Sequence, residues 1–173
     1  MTRTVLLVAN ALAPDKAELA IQACEHLISG GIQVAMDSEQ FSELASHDLP
    51  MPSEIVEFLN QKIEVGIVLG GDGSILRAAE LLRSVGAPIL GINAGHVGFM
   101  AEAESSHLTQ ALDAVIAKSY QVRDRIALEV VVSEGGNETF RSWALNEVTV
   151  EKSARERMLE VVIEVDSRPV SSF

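Results

Sequence analysis

A chain of 173 residues, 47% of them apolar, is long enough for one well-filled domain and part of a second. The net charge of −12 argues against nucleic acid as a partner, since phosphate backbones are bound through a surplus of Lys and Arg. Cys24 stands alone, and no stretch has the layout of a signal peptide or a membrane span, so a disulfide scaffold, a cysteine metal site and a membrane partner are all disfavoured and a cytoplasmic location is expected.

The first two-thirds of the chain alternates strand and helix. Thr4–Ala9 reads as a buried strand, and Pro14–Ser29 as a helix with apolar Ala17, Ala20, Ile21, Cys24, Leu27 and Ile28 on one face, stopped by Gly30-Gly31. Ile32–Ala35 is a short second strand. Residues 38–52, polar and holding two prolines, read as a loop, and Ser53 is expected to cap a short helix to about Gln61. The apolar run 63–69 reads as a strand that feeds Gly70-Gly71-Asp72-Gly73-Ser74, after which Ile75–Leu82 begins a helix ending near Gly86. Pro88–Asn93 is another buried strand, and Leu108, Leu112, Val115 and Ile116 mark a further helix. Few aromatics and many Val, Ile, Leu and Ala suit a parallel sheet buried on both faces. Repeated strand–helix units joined by short turns predict an α/β, doubly wound parallel sheet for residues 1–119, with ligands at the carboxyl ends of its strands.

After Tyr120 the pattern changes. Leu128–Val132, Trp143–Val150 and Leu159–Val165 are β-rich and separated by turn signals, notably Glu134-Gly135-Gly136-Asn137. Residues 120–173 therefore read as the start of an all-β, antiparallel, sandwich-like domain. It lacks a closing element, so a truncated chain is expected. Charge differs between the regions as well: five Lys or Arg face fifteen Asp or Glu in residues 1–117, against eight and ten in 118–173. An anionic small molecule would be drawn to the later region, where Arg123, Arg125, Arg141, Lys152, Arg155 and Arg157 lie.

The glycine-rich corner carries the strongest chemical signal. A buried strand that ends in glycines around one carboxylate and turns into a helix presents backbone amides to an anion. Asp72 is the only group there able to accept a proton or hold a metal; a glycine-rich turn with a helix-capping Asp is the plainer alternative. His26, His47, His96 and His107 show no ligand spacing, and no metal-binding side chains are assigned.

Three segments taken together, Gly70–Ser74, Asn93-Ala94-Gly95-His96-Val97-Gly98-Phe99-Met100 and Ala144-Leu145-Asn146-Glu147-Val148, resemble the NAD kinase family in order and spacing over essentially the whole chain. Departures are Ser74 where Thr is usual, and Val97 and Met100 in place of leucines. The family continues with segments that complete its dinucleotide site beyond the point where this sequence stops. The resemblance implies transfer of the γ-phosphoryl group of ATP, or of polyphosphate, to the adenosine-ribose 2′-hydroxyl of NAD, giving NADP, with a divalent cation such as Mg²⁺. It further implies Asp72 as general base and Gly70, Gly71, Gly73 and Ser74 as the phosphate loop. Asp72, Gly73, Arg77, Phe99, Asn146, Glu147 and Arg157 are implied as dinucleotide contacts, with Arg155 competing for the role of Arg157. A homodimer or homotetramer is implied for the full-length protein. Alternatives are a lipid or sugar kinase sharing the corner, disfavoured by the Asn146-Glu147 pair, and an inactive nucleotide-binding fragment; the isolated 173 residues are expected to have little kinase activity.

Overall fold

A computed structural model describes residues 2–93, 103–104 (backbone only), 107–151 and 160–172. The chain forms two compact units, Met1–Asp124 and Arg125–Phe173. Among the described residues of the first, six strands make one sheet: β1 (Thr4–Ala9), β2 (Gln33–Met36), β3 (Val56–Glu57), β4 (Gly66–Leu69), β5 (Ile89–Asn93) and β6 (Ala103–Glu104). Their order is β3-β2-β1-β4-β5-β6, and every adjacent pair is parallel. Among the described residues, four helices connect or follow them: α1 (Pro14–Ser29), α2 (Ser38–Ala45), α3 (Asp72–Leu82) and α4 (Leu108–Ile116).

β1 runs through the middle of the sheet and shows why the unit is doubly wound. Its alternate residues enter opposite cores, as a period of two requires. Val5, Leu7 and Ala9 pack with Ala17, Ile21, Cys24 and Leu27 of α1 and with Leu108, Leu112 and Val115 of α4. Leu6 and Val8 pack with Ile75, Ala78 and Leu82 of α3. Strand order therefore reverses direction between β1 and β4, and their carboxyl ends border the crevice where such sheets take ligands.

At the amino ends of the same strands lies a structural clamp. Arg3 makes a paired ion bridge to Glu64 (2.7 and 2.5 Å), and its guanidinium also donates to the carbonyls of Val115 and Ile116 at the end of α4. Tyr120 donates its hydroxyl to Glu64 at 3.2 Å. The bond from Arg3 holds the Glu64 carboxyl below its usual range, and burial with the nearby Glu64 charge pushes the Tyr120 phenol up.

Two sequence expectations in this unit are corrected. Residues 38–52 are not all loop: Asp37 caps α2, its Oδ1 accepting the backbone N–H of Gln40 at 3.0 Å. The cap is an Asp with Gln three residues on, a helix-start signal, but the helix buries only Gln40 and Leu44 and so looks polar. The expected helix at 53–61 is absent. A turn at Ser53-Glu54 leads instead into β3, which pairs through Ala35–Val56 and Met36–Glu57 and exists because the edge of β2 is there to bond it.

The described residues of the second unit form two antiparallel hairpins, β7 (Leu128–Glu134) with β8 (Asn137–Ala144), and β9 (Val162–Val165) with β10 (Arg168–Ser172). Gly135 and Gly136 both have positive φ (57° and 83°), the backbone of a two-residue hairpin turn whose twist matches the strands it joins. Asp166 and Ser167 take the same left-handed geometry at the second turn (50° and 62°) without glycine. The strand expected over Trp143–Val150 ends at Ala144, and that expected from Leu159 begins at Val162.

Candidate functional site

The candidate site is built at the carboxyl ends of β1 and β4. The backbone N–H of Asn10, just past β1, donates to Leu69 at 3.1 Å, and that of Gly70, just past β4, donates to Ile92 at 3.0 Å. Both strands thus stay registered to the point where the chain turns. A Cβ on Gly70 would collide with the side chain of Ser74 and lie 3.8 Å from the Cβ of Asn10. Glycine at this position lets Ser74 fold back over the strand end.

Gly71 caps α3 from outside, its carbonyl accepting from Ser74 (3.0 Å) and Ile75 (3.2 Å). Asp72 is the first helical residue, half-buried. The leading amides of a helix have no acceptor within it, so this end carries partial positive charge. Gly71 and Gly73 are exposed, and a side chain on either would meet nothing within 4 Å. The corner combines an exposed glycine backbone at a helix start with one carboxylate, a setting for phosphate oxygens beside a hydroxyl that must lose its proton.

Arg77, farther along α3, turns toward β2. Its Nη2 donates to Asp37 Oδ1 (2.9 Å) and Glu39 Oε2 (2.8 Å). Asp37, Gln40 and Asn10 are site-bordering residues that sequence reasoning passed over. The Asp37-x-x-Gln40 cap was the available signal for two of them. Gln40 also has a specific task. β2 pairs with β1 only as far as Leu6, and the side chain of fully buried Gln40 accepts the N–H of Ala9 at 3.1 Å beyond that point. On the other flank, His47 Nε2 lies 2.6 Å from the carbonyl of Ala11. Asn93, at the end of β5, is a buried polar residue.

The corner residues Gly70, Gly71, Asp72, Gly73 and Ser74 are therefore contiguous at the crevice, with Arg77 on the same helix. Asn146 and Glu147 belong to the second unit, exposed, immediately after β8. Phe99 and His96, and likewise Arg155 and Arg157, lie outside the described residues. Among the described residues no three metal-ligating side chains are gathered. A divalent ion would be held here mainly by the substrate's own phosphates, as Mg²⁺ commonly is.

Comparison with known proteins agrees with the α/β fold. The family model of the ATP-NAD kinase N-terminal domain matches residues 5–120. The NAD kinase of Leifsonia xyli subsp. xyli is 42% identical over 174 residues, covering 99% of this chain and 57% of that protein. The NAD kinase of Thermobifida fusca is 43% identical over 179 residues, covering 99% and 55%. The chain thus spans a little over half the length of the curated relatives it matches. Among solved structures, yeast NADH kinase complexed with NADH superposes with a TM-score of 0.82 at 16% identity, over 99% of this chain and 55% of the other. An NAD kinase from Archaeoglobus fulgidus in complex with ATP gives 0.54 at 21% identity, over 99% and 57%. Both likenesses are of fold. With the matched family model and relatives above 40% identity, the chain belongs to the NAD kinase family.

Proposed function

We propose that the full-length protein transfers the terminal phosphoryl group of ATP, or of polyphosphate, to the adenosine-ribose 2′-hydroxyl of NAD, forming NADP. The observation that carries the proposal is Asp72 at the first turn of α3, flanked by exposed glycines, at the carboxyl ends of β1 and β4. Family membership supports it, as do the NADH and the ATP bound by the two solved relatives.

Phosphoryl transfer asks little covalent chemistry of the protein; positioning and charge neutralisation dominate. The glycine amides receive phosphate oxygens. Asp72 accepts the ribose hydroxyl proton late, as the new O–P bond forms, because a free sugar hydroxyl is far too weak an acid to ionise beforehand. Arg77, with donors on a planar guanidinium, serves the dinucleotide's anionic part. Asn146 and Glu147 offer an amide that donates and accepts beside a carboxylate that accepts, a set matched to ribose hydroxyls. Arg157 and Phe99 are assigned to the dinucleotide on family grounds. Mg²⁺, when bound to the donor's phosphates, would neutralise charge on the oxygens around the moving group. A cytoplasmic enzyme acting as a homodimer or homotetramer is the accompanying proposal.

The test uses the acceptor. Full-length protein with ATP and NAD should form NADP, and an NAD analogue lacking the adenosine 2′-hydroxyl should bind and give no phosphorylated product. Phosphorylation of that analogue would move the reaction to another oxygen and overturn the proposal.

A further inference from the structure

We infer that Asp37 is a positioning residue for the dinucleotide site: it fixes the guanidinium of Arg77 in the orientation that receives an anionic ligand. The inference rests on the reading of Arg77 as a dinucleotide contact and adds to it a residue that the site motifs do not contain.

Three observations carry it. First, one oxygen of Asp37 does two jobs. Oδ1 accepts the N–H of Gln40, capping α2, and accepts Nη2 of Arg77. The carboxylate's rotamer is therefore set by the helix start, where the macrodipole also favours a negative charge. A guanidinium bonded to it inherits that fixed direction.

Second, the cap is tied to the crevice. Gln40, the residue that Asp37 caps, accepts the N–H of Ala9 through its own side chain. The next residue, Asn10, bonds Leu69, immediately before the glycine corner. The link from Asp37 to the end of β4 thus runs through buried or strand-registered hydrogen bonds and no free loop.

Third, only part of the guanidinium is used. Nη2 donates to Asp37 and Glu39, while the Nε and Nη1 hydrogens have no partner among the described residues. Arginine has five donors in a rigid fork, so pinning one nitrogen orients the remaining donors without consuming them. A long side chain held this way loses less rotamer freedom when its ligand arrives. The two acidic partners are not equivalent. Asp37 has a side chain only 14% exposed, and Glu39 one that is 83% exposed. Solvent screens the Glu39 pair and leaves it with little hold.

The test is a steady-state series on the full-length protein with NAD and ATP, alongside an unfolding curve for each variant. Asparagine caps helices about as well as aspartate, so Asp37→Asn should leave the unfolding midpoint in place. It should raise KM for NAD about tenfold, the equivalent of one charge-assisted hydrogen bond, with kcat within about twofold. Glu39→Gln should stay within about twofold on both constants. The double variant Asp37→Asn/Arg77→Ala should be no worse than Arg77→Ala alone, because Asp37 acts through Arg77. A KM unchanged or lowered by Asp37→Asn, while Arg77→Ala raises it, would overturn the inference and leave the reading of Arg77 intact. Multiplicative losses in the double variant would also overturn it. An Arg77→Ala variant with normal KM for NAD would defeat the reading of Arg77 itself, and the inference with it.

Discussion

The two units build strands from similar residues and surround them differently. All six residues of β1 and all four of β4 are buried, with a helical layer on each face. β7 and β9 hold equally β-prone runs, Leu128-Glu129-Val130-Val131-Val132 and Val162-Ile163-Glu164-Val165, yet their residues are almost all exposed, as is Phe140 at 57%. The first unit is held by non-local burial. The hairpins are held mainly by their turns and ladders, a marginal arrangement for two strands in water. The glycine corner sits in the first unit, where buried β4 meets α3.

Hydrogen exchange on this chain gives the widest margin for breaking that contrast. Amides of β1 should be protected about a thousandfold or more beyond those of β7, because core strands open only with the whole unit and local hairpins open alone. Equal protection would erase the distinction. Two side chains report the same difference chemically. Burial pushes the Cys24 thiol up to about 12, so it should resist alkylation at neutral pH until the first unit opens. Trp143, on β8, should change its fluorescence at a lower urea concentration than the one that exposes Cys24.

A smaller effect sharpens the account of the first unit's base. Arg3→Ala leaves the Glu64 carboxylate half-buried without its partner and the end of α4 without a donor. A loss of about 3 kcal/mol in urea unfolding is expected. The acid limb carries a matching sign. Glu64 is held below its ordinary value of 4.5, so its contribution is complete above that value and is lost as pH falls through the lower folded value. Arg3→Ala should flatten stability against pH in that acid window and leave the slope near neutrality alone. The smallest effect belongs to the second unit. Ser167 sits at φ 62°, and Ser167→Gly should stabilise its hairpin by about 0.5–1 kcal/mol, read as a higher melting point.

Legibility in the sequence followed the same division between local and distant causes. β1 and α1 were readable end to end: one is a continuous apolar run, and the other has a proline start, a periodic face and a glycine stop. The corner was readable because glycine, carboxylate and strand adjoin within five residues. α2 was hidden by its polar face, although Asp37 and Gln40 announced its start. β3 was hidden because two residues form a strand only where another strand's edge awaits them. The pairing of Asp37 with Arg77 spans 40 positions, and no local pattern announces it. Trp143–Val150 was overextended because β-propensity continues through Val148 and Val150 after pairing has stopped at Ala144.

In the proposed reaction the Asp72 carboxylate takes the ribose proton, and Asp72→Asn in the full-length protein tests that role. Asparagine keeps the size and the helix start and removes the proton acceptor. NAD should bind with an affinity within about threefold of the parent, while kcat falls by about 10²–10⁴, the usual reach of general-base catalysis. A variant that turns over NAD at the parent's rate would contradict the assignment and leave the glycine corner as a turn alone.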